Sequence, residues 1–198
     1  MERLTRKQRR LVKDLDEISR IVVHNYHDVL EMRREVRTDV LAVTIREIIR
    51  GEVITQYTLI DEYLAAEICR YFFASYEFPR LWKTKRFERF NYFVVEKLSL
   101  MEKVALVRDV RRVPKSVREI VESVNALRNA LAHAFFPENL RAYRMKGHPA
   151  PRKPIVATYK GIDIFSVAGL QRFMDNVHKV HDYLAILVKP PRRKTKKR

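Results

Sequence analysis

Residues 125–136 read NALRNALAHAFF. Arg128 is followed at once by Asn129, and His133 comes five residues after the arginine. Only Ala and Leu stand between Asn129 and His133, and both are strong helix formers. Upstream, Val117, Ile120, Val121, Val124, Leu127 and Leu131 recur at three-to-four spacing, which makes one apolar helix face. Ser116 and Glu119 have the spacing of a capping box, so the helix is expected to open there. Pro137 disfavours helix at Phe136 and sets the end. The polar trio therefore falls in the last turns of a well-started amphipathic helix.

The same periodicity governs most of the chain. Residues 4–36 read as one long amphipathic helix, with Leu4, Leu11, Leu15, Ile18, Val22, Val29 and Leu30 on one side. Polarity rises around 37–39, where Thr38 or Asp39 is a candidate cap for a new helix. Gly51 marks a kink or stop, although a helix can run through a glycine at about 1 kcal/mol. Residues 52–75 are apolar around most of the circumference and are expected at the centre of a bundle. A carboxylate buried there (Asp61, Glu62 or Glu67) needs a partner, for which an arginine is the obvious candidate.

Residues 79–89, PRLWKTKRFER, read as a basic loop holding the only tryptophan, Trp82. A helix is expected over 88–97. Ser99 and Glu102 then cap another, reaching about Val110. Residues 154–165 alternate apolar and polar on both sides of Lys160–Gly161, the signature of a small hairpin. Ser166 caps a last helix reaching about Val188, and residues 189–198 form a basic tail. The fold class expected is all-α: a bundle of long amphipathic helices with a small accessory β-hairpin, one domain over residues 1–188.

Charge narrows the partners. Lys and Arg number 41 against 24 Asp and Glu, a net charge of +17 over 198 residues. A polyanion is the natural partner, RNA or DNA before an anionic membrane. Clusters at Lys83, Lys85 and Arg86, and at Arg111, Arg112 and Lys115, are candidate nucleic-acid contacts. No apolar run approaches the ~20 residues of a membrane helix. The start, MERLTRKQRR, has no apolar segment behind it, so no signal peptide is expected and a cytoplasmic location is. Cys69, the single cysteine, rules out an internal disulfide and reads as a small core residue. His24 and His27, like His178 and His181, are i, i+3 pairs without an evident third ligand, so no metal is expected. No glycine-rich phosphate loop suggests a cofactor.

At about 100° per residue, Asn129 and His133 share a helix face, and Arg128 lies about 140° round from His133. One helix thus offers a base, an amide and a cation to one groove. Cleaving RNA without a metal needs a base for the 2′-hydroxyl, a cation for the phosphate and an acid for the leaving oxygen. One histidine cannot be base and acid in the same step, so a second copy of His133 from a two-fold partner suits the acid role.

Arg128-Asn129-Ala-Leu-Ala-His133 resembles the signature of the HEPN superfamily (higher eukaryotes and prokaryotes nucleotide-binding). That signature is Arg, often then Asn, with His four to six residues beyond. The resemblance spans residues 5–188. It implies a helical bundle, a homodimer and metal-independent endoribonuclease activity of the toxin–antitoxin or phage-defence kind, with an antitoxin protein as a further partner. It implies catalytic roles for Arg128 and His133 and a supporting one for Asn129. Some members only bind, which keeps a non-catalytic RNA-binding or protein-interaction module as the alternative, and a DNA-associated regulator as a third. Members controlled by a nucleotidyltransferase antitoxin often carry Tyr two residues after the histidine. That position is Phe135 here, so the resemblance does not extend to that control.

Overall fold

A computed structural model describes residues 5–6, 9–10, 33–73, 83–133 and 157–188. Most expectations for residues 4–36, as well as Trp82, Phe135, Pro137 and the basic tail, lie outside these. The chain divides into two compact units, Met1–Arg50 and Gly51–Arg198. Five α-helices and one two-stranded antiparallel sheet are described, an all-α fold with a small hairpin.

Helix α1 spans Arg34–Phe73 without interruption. The breaks expected at 37–39 and at Gly51 are absent. Its many strong helix formers, Ala, Leu, Arg, Glu and Gln, outweigh one glycine, whose cost is about 1 kcal/mol. In the first unit Thr44 and Ile49 are buried, whereas Leu41, Ile45 and Ile48 are exposed.

In the second unit, α1 buries Val53, Ile60, Leu64 and Ile68 along one face. Ile54, Leu59, Tyr71 and Phe72 stay exposed, so this helix is two-faced rather than wrapped on all sides as its composition suggested. Helix α2, Lys85–Phe93, is capped by Thr84, whose side chain accepts from the Phe87 amide. It therefore takes residues read as loop, because Thr84 is a competent cap that composition hid behind lysines and arginines. A 3-10 turn, Val95–Lys97, leads to α3, Leu100–Val110. Here the expected capping box is complete. Ser99 N donates to Glu102 Oε2 at 2.7 Å and Glu102 N donates to Ser99 Oγ at 3.4 Å. These bonds hold the Glu102 carboxyl below the usual range.

Helix α4 spans Lys115–His133. It starts one residue before Ser116, so Ser116 is inside the first turn rather than the cap, and Glu119 stands 3.7 Å from Lys115 Nζ. All six residues of its expected apolar stripe are buried. Strands β1, Thr158–Tyr159, and β2, Ile162–Asp163, pair antiparallel. Lys160 and Gly161 between them have φ of 47° and 82°, the two left-handed residues of a type I′ turn. Helix α5, Val167–Val188, buries Phe173, Val177, Val180 and Leu184. It packs on α4, and the hairpin lies on both, with the Tyr159 ring edge-on to Phe173 at 5.3 Å.

The hairpin is locked to α5 by its own turn. Ser166 Oγ donates to the Asp163 carbonyl at 2.6 Å and accepts from Gly169 N at 3.0 Å. A side chain at Gly169 would run into the Asp163 carbonyl and backbone. Gly169→Ala is therefore expected to destabilise by about 1–3 kcal/mol, by the cost of overpacking. Urea unfolding measures this, and a neutral substitution would show that the hairpin shifts freely against α5.

Candidate active site

Helix α4 carries Arg128 and Asn129 and ends at His133. The His133 backbone is helical; its side chain lies outside the described residues. Arg128 is partly buried, and two neighbours hold it. Its Nη1 donates to Asn129 Oδ1 at 3.2 Å, and its guanidinium carbon lies 5.0 Å from the centre of the Tyr57 ring on α1. Among the described residues, no carboxylate stands within ion-pair distance of Arg128.

Its neighbours on α1 behave differently. Asp61, one turn beyond Tyr57, was expected to take an arginine. It instead takes the buried Lys103 of α3, with Nζ to Oδ2 at 2.6 Å. Lys103 is the nearer claimant and, being enclosed, has more to lose from being unpaired. Burial pushes the Tyr57 phenol up, the negative Asp61 adds to this, and Arg128 opposes it. Tyr57 thus offers a ring to a cation that has no carboxylate partner among the described residues. Sequence reasoning missed it. Tyr57 and Asp61 are spaced one turn apart on α1, but nothing in that spacing says which arginine they meet.

The other expected cations scatter. Lys83, Lys85 and Arg86 are exposed at the start of α2, with Arg86 5.6 Å from the Phe73 ring centre. Arg111, Arg112 and Lys115 line the turn before α4 and are exposed. Arg111 is no free phosphate contact, because its Nε donates to Glu67 Oε1 at 3.0 Å. Lys115 stands at the opposite end of α4 from Arg128, about 20 Å away at 1.5 Å per residue. The basic turn and Arg128 are therefore separate places on the molecule.

Glu67 is the buried carboxylate whose arginine partner the sequence anticipated. It is fully buried and receives Arg70 Nη1 at 2.6 Å as well as Arg111. His181 is partly buried near the Tyr63 ring, and burial together with His178 lowers its pKa. Among the described residues no three His, Cys, Asp or Glu side chains group as a metal site. No helix of the described residues is long and apolar enough to cross a membrane.

No family model, curated protein or solved structure matches this chain.

Cys69 is buried on α1, as its apolar surroundings predicted. Burial pushes its thiol up from 9.0 to about 11, with Lys103 pulling the other way. The folded value exceeds the unfolded one, so this contribution to stability holds below the ordinary thiol range. It is lost as pH climbs through about 11. Labelling of the native protein with a thiol reagent is expected to keep accelerating to about pH 11. A plateau near 9.0 would show an ordinary, accessible thiol.

Proposed function

We propose that this protein is a metal-independent endoribonuclease of the HEPN type, working as a homodimer. The observation that carries the reading is Arg128. It is held by Asn129 and Tyr57, lacks a carboxylate partner among the described residues, and lies on the helix that ends at His133. Structural arginines in this fold look different: Arg70 and Arg111 both spend their charge on Glu67. A cation fixed in place without a counter-ion is suited to an external anion. The net charge of +17 favours a polyanion as the source of that anion.

The chemistry follows from those groups. His133 takes the proton from a 2′-hydroxyl, whose oxygen attacks the adjacent phosphorus. Arg128 meets the negative charge that grows on the non-bridging oxygens as the fifth bond forms. The 5′-oxygen leaves and is protonated by the partner subunit's His133. The products are a 2′,3′-cyclic phosphate and a 5′-hydroxyl, so no water is consumed. Asn129 orients Arg128, and the Tyr57 ring limits how far the guanidinium can swing.

The test is end-labelled RNA incubated with the purified full chain in excess EDTA. Cleavage leaving cyclic-phosphate ends is the expected result. Retention of intact RNA with no cleavage would replace this reading with the binding module.

A further inference from the structure

A cavity of about 940 Å³ opens between α1, α2 and α3 of the second unit, away from any role given to α4 above. We propose that it is a binding site for a small organic cation with an apolar body, an arylalkyl amine in the simplest case. Part of its lining is apolar and buried: Cys69, Phe87 and Val95 are each at most 5% exposed. Its mouth is acidic, since Glu62, Glu88 and Glu96 line it and are exposed. Its size lies at the top of the range typical of small-molecule sites, roughly 300–1,000 Å³.

The charges decide the ligand class. Four carboxylates, Asp61, Glu62, Glu88 and Glu96, line the cavity against one cation, Lys103. Lys103 is neutralised by Asp61 at 2.6 Å. Glu96 accepts from Asn91 Nδ2 through one oxygen, at 2.7 Å, which leaves the other available. Glu62 and Glu88 enter no ion pair among the described residues. Lys85 and Arg89 share a smaller neighbouring hollow with Glu88 and Tyr92, and Lys97 lies over the Tyr92 ring at 5.2 Å; these three cations flank the cavity without lining it.

A local excess of negative charge is unexpected on a chain of net charge +17. Most of the positive charge is distant and screened beyond about 8–10 Å at physiological salt, and a ligand inside the mouth lies nearer to the lining carboxylates than to the flanking Lys85, Arg89 and Lys97. The same carboxylates turn phosphate away, so this cavity is not an extension of an RNA path. Tyr63, Phe87 and Tyr92 add aromatic surface to the lining, against which a ligand ring can pack. The site is independent of the ribonuclease reading and stands or falls separately from it.

The experiment is calorimetric titration of the full chain with 4-phenylbutylamine and with 4-phenylbutyrate, its anionic counterpart. The amine is expected to bind with Kd on the order of a millimolar or below, a reasonable value for a fragment of this size. The carboxylate is expected to bind at least about tenfold more weakly, given the modest worth of each exposed charge at the mouth. The paired change Glu62→Gln and Glu88→Gln, on exposed positions, should bring the two affinities together. Ala66→Trp, which fills the cavity, should remove binding of the amine with helical circular dichroism retained. Equal affinities in the wild type, no binding of the amine at millimolar concentration, or a preference unchanged by the paired glutamine variant would each overturn the proposal.

Discussion

Alanine at His133 is expected to lower RNA cleavage in EDTA by about 10²–10⁴-fold, and alanine at Arg128 by about 10²–10³-fold, with little change in stability. The two figures differ because the roles differ. Without the base, the 2′-hydroxyl must lose its proton to water. Without the guanidinium, the charge on the phosphoryl oxygens in the transition state loses its partner. Stability should be almost untouched at Arg128, because it is partly exposed and its losses are one hydrogen bond of 3.2 Å and one ring contact. That combination, a large catalytic loss on an intact fold, separates this site from a merely structural arginine.

Two further substitutions refine the expectation. Arg128→Lys keeps the charge but loses the planar fork and the stacking on Tyr57, so it should retain only part of the rate. Tyr57→Phe keeps the ring under Arg128 and should act nearly like wild type, whereas Tyr57→Ala frees the guanidinium and should lower the rate. Single-turnover cleavage with thermal unfolding on the same samples reads both quantities. Wild-type rates in both alanine variants would remove α4 from the chemistry altogether.

Glu67→Ala is expected to destabilise the second unit by about 3–5 kcal/mol. Glu67 is fully buried and Arg70 is 3% exposed, so the substitution leaves a guanidinium enclosed without its carboxylate. Arg70 Nη1 also donates to the Leu187 carbonyl at the end of α5, at 2.6 Å. The carboxylate thereby joins α1 to α5 through Arg70 and to the turn before α4 through Arg111. Glu67→Gln preserves volume and an acceptor, and should cost less than alanine. Arg111→Ala removes only the half-exposed partner and should cost about 1 kcal/mol. Total stabilities of domains run to about 5–15 kcal/mol, so the alanine variant should be visibly loosened at room temperature. A loss under about 1 kcal/mol in urea titration would mean that the three elements are held by apolar packing alone.

Much of this was legible in the residues, and the reasons are local. The Ser99–Glu102 box, the Lys160–Gly161 turn and the Ser166 cap each rest on a few adjacent side chains, and all three are present. The stripe of α4 was legible because burial and helical period coincide along it. Where several signals competed, the reading failed. Helix α1 runs through a polar patch and a glycine because helix propensity summed over forty residues prevails over single weak breakers. Thr84 caps α2 inside a stretch whose charge suggested a loop. Pairings between distant segments were the least accessible. The sequence offers several arginines and lysines for every carboxylate, so it could say that a buried acid needs a base but not that Asp61 takes Lys103 and Glu67 takes Arg70 and Arg111.

The turn before α4 is tied on both sides. Arg111 is bound to Glu67, and the Arg112 carbonyl accepts the Tyr183 hydroxyl of α5 at 2.7 Å. Its backbone is thus a fixed platform that presents Arg112 and Lys115 outward. An anion docking there would meet a loop whose shape was set when the chain folded. The Arg111 amide, which donates to the Val107 carbonyl at 2.8 Å, should accordingly exchange with solvent slowly.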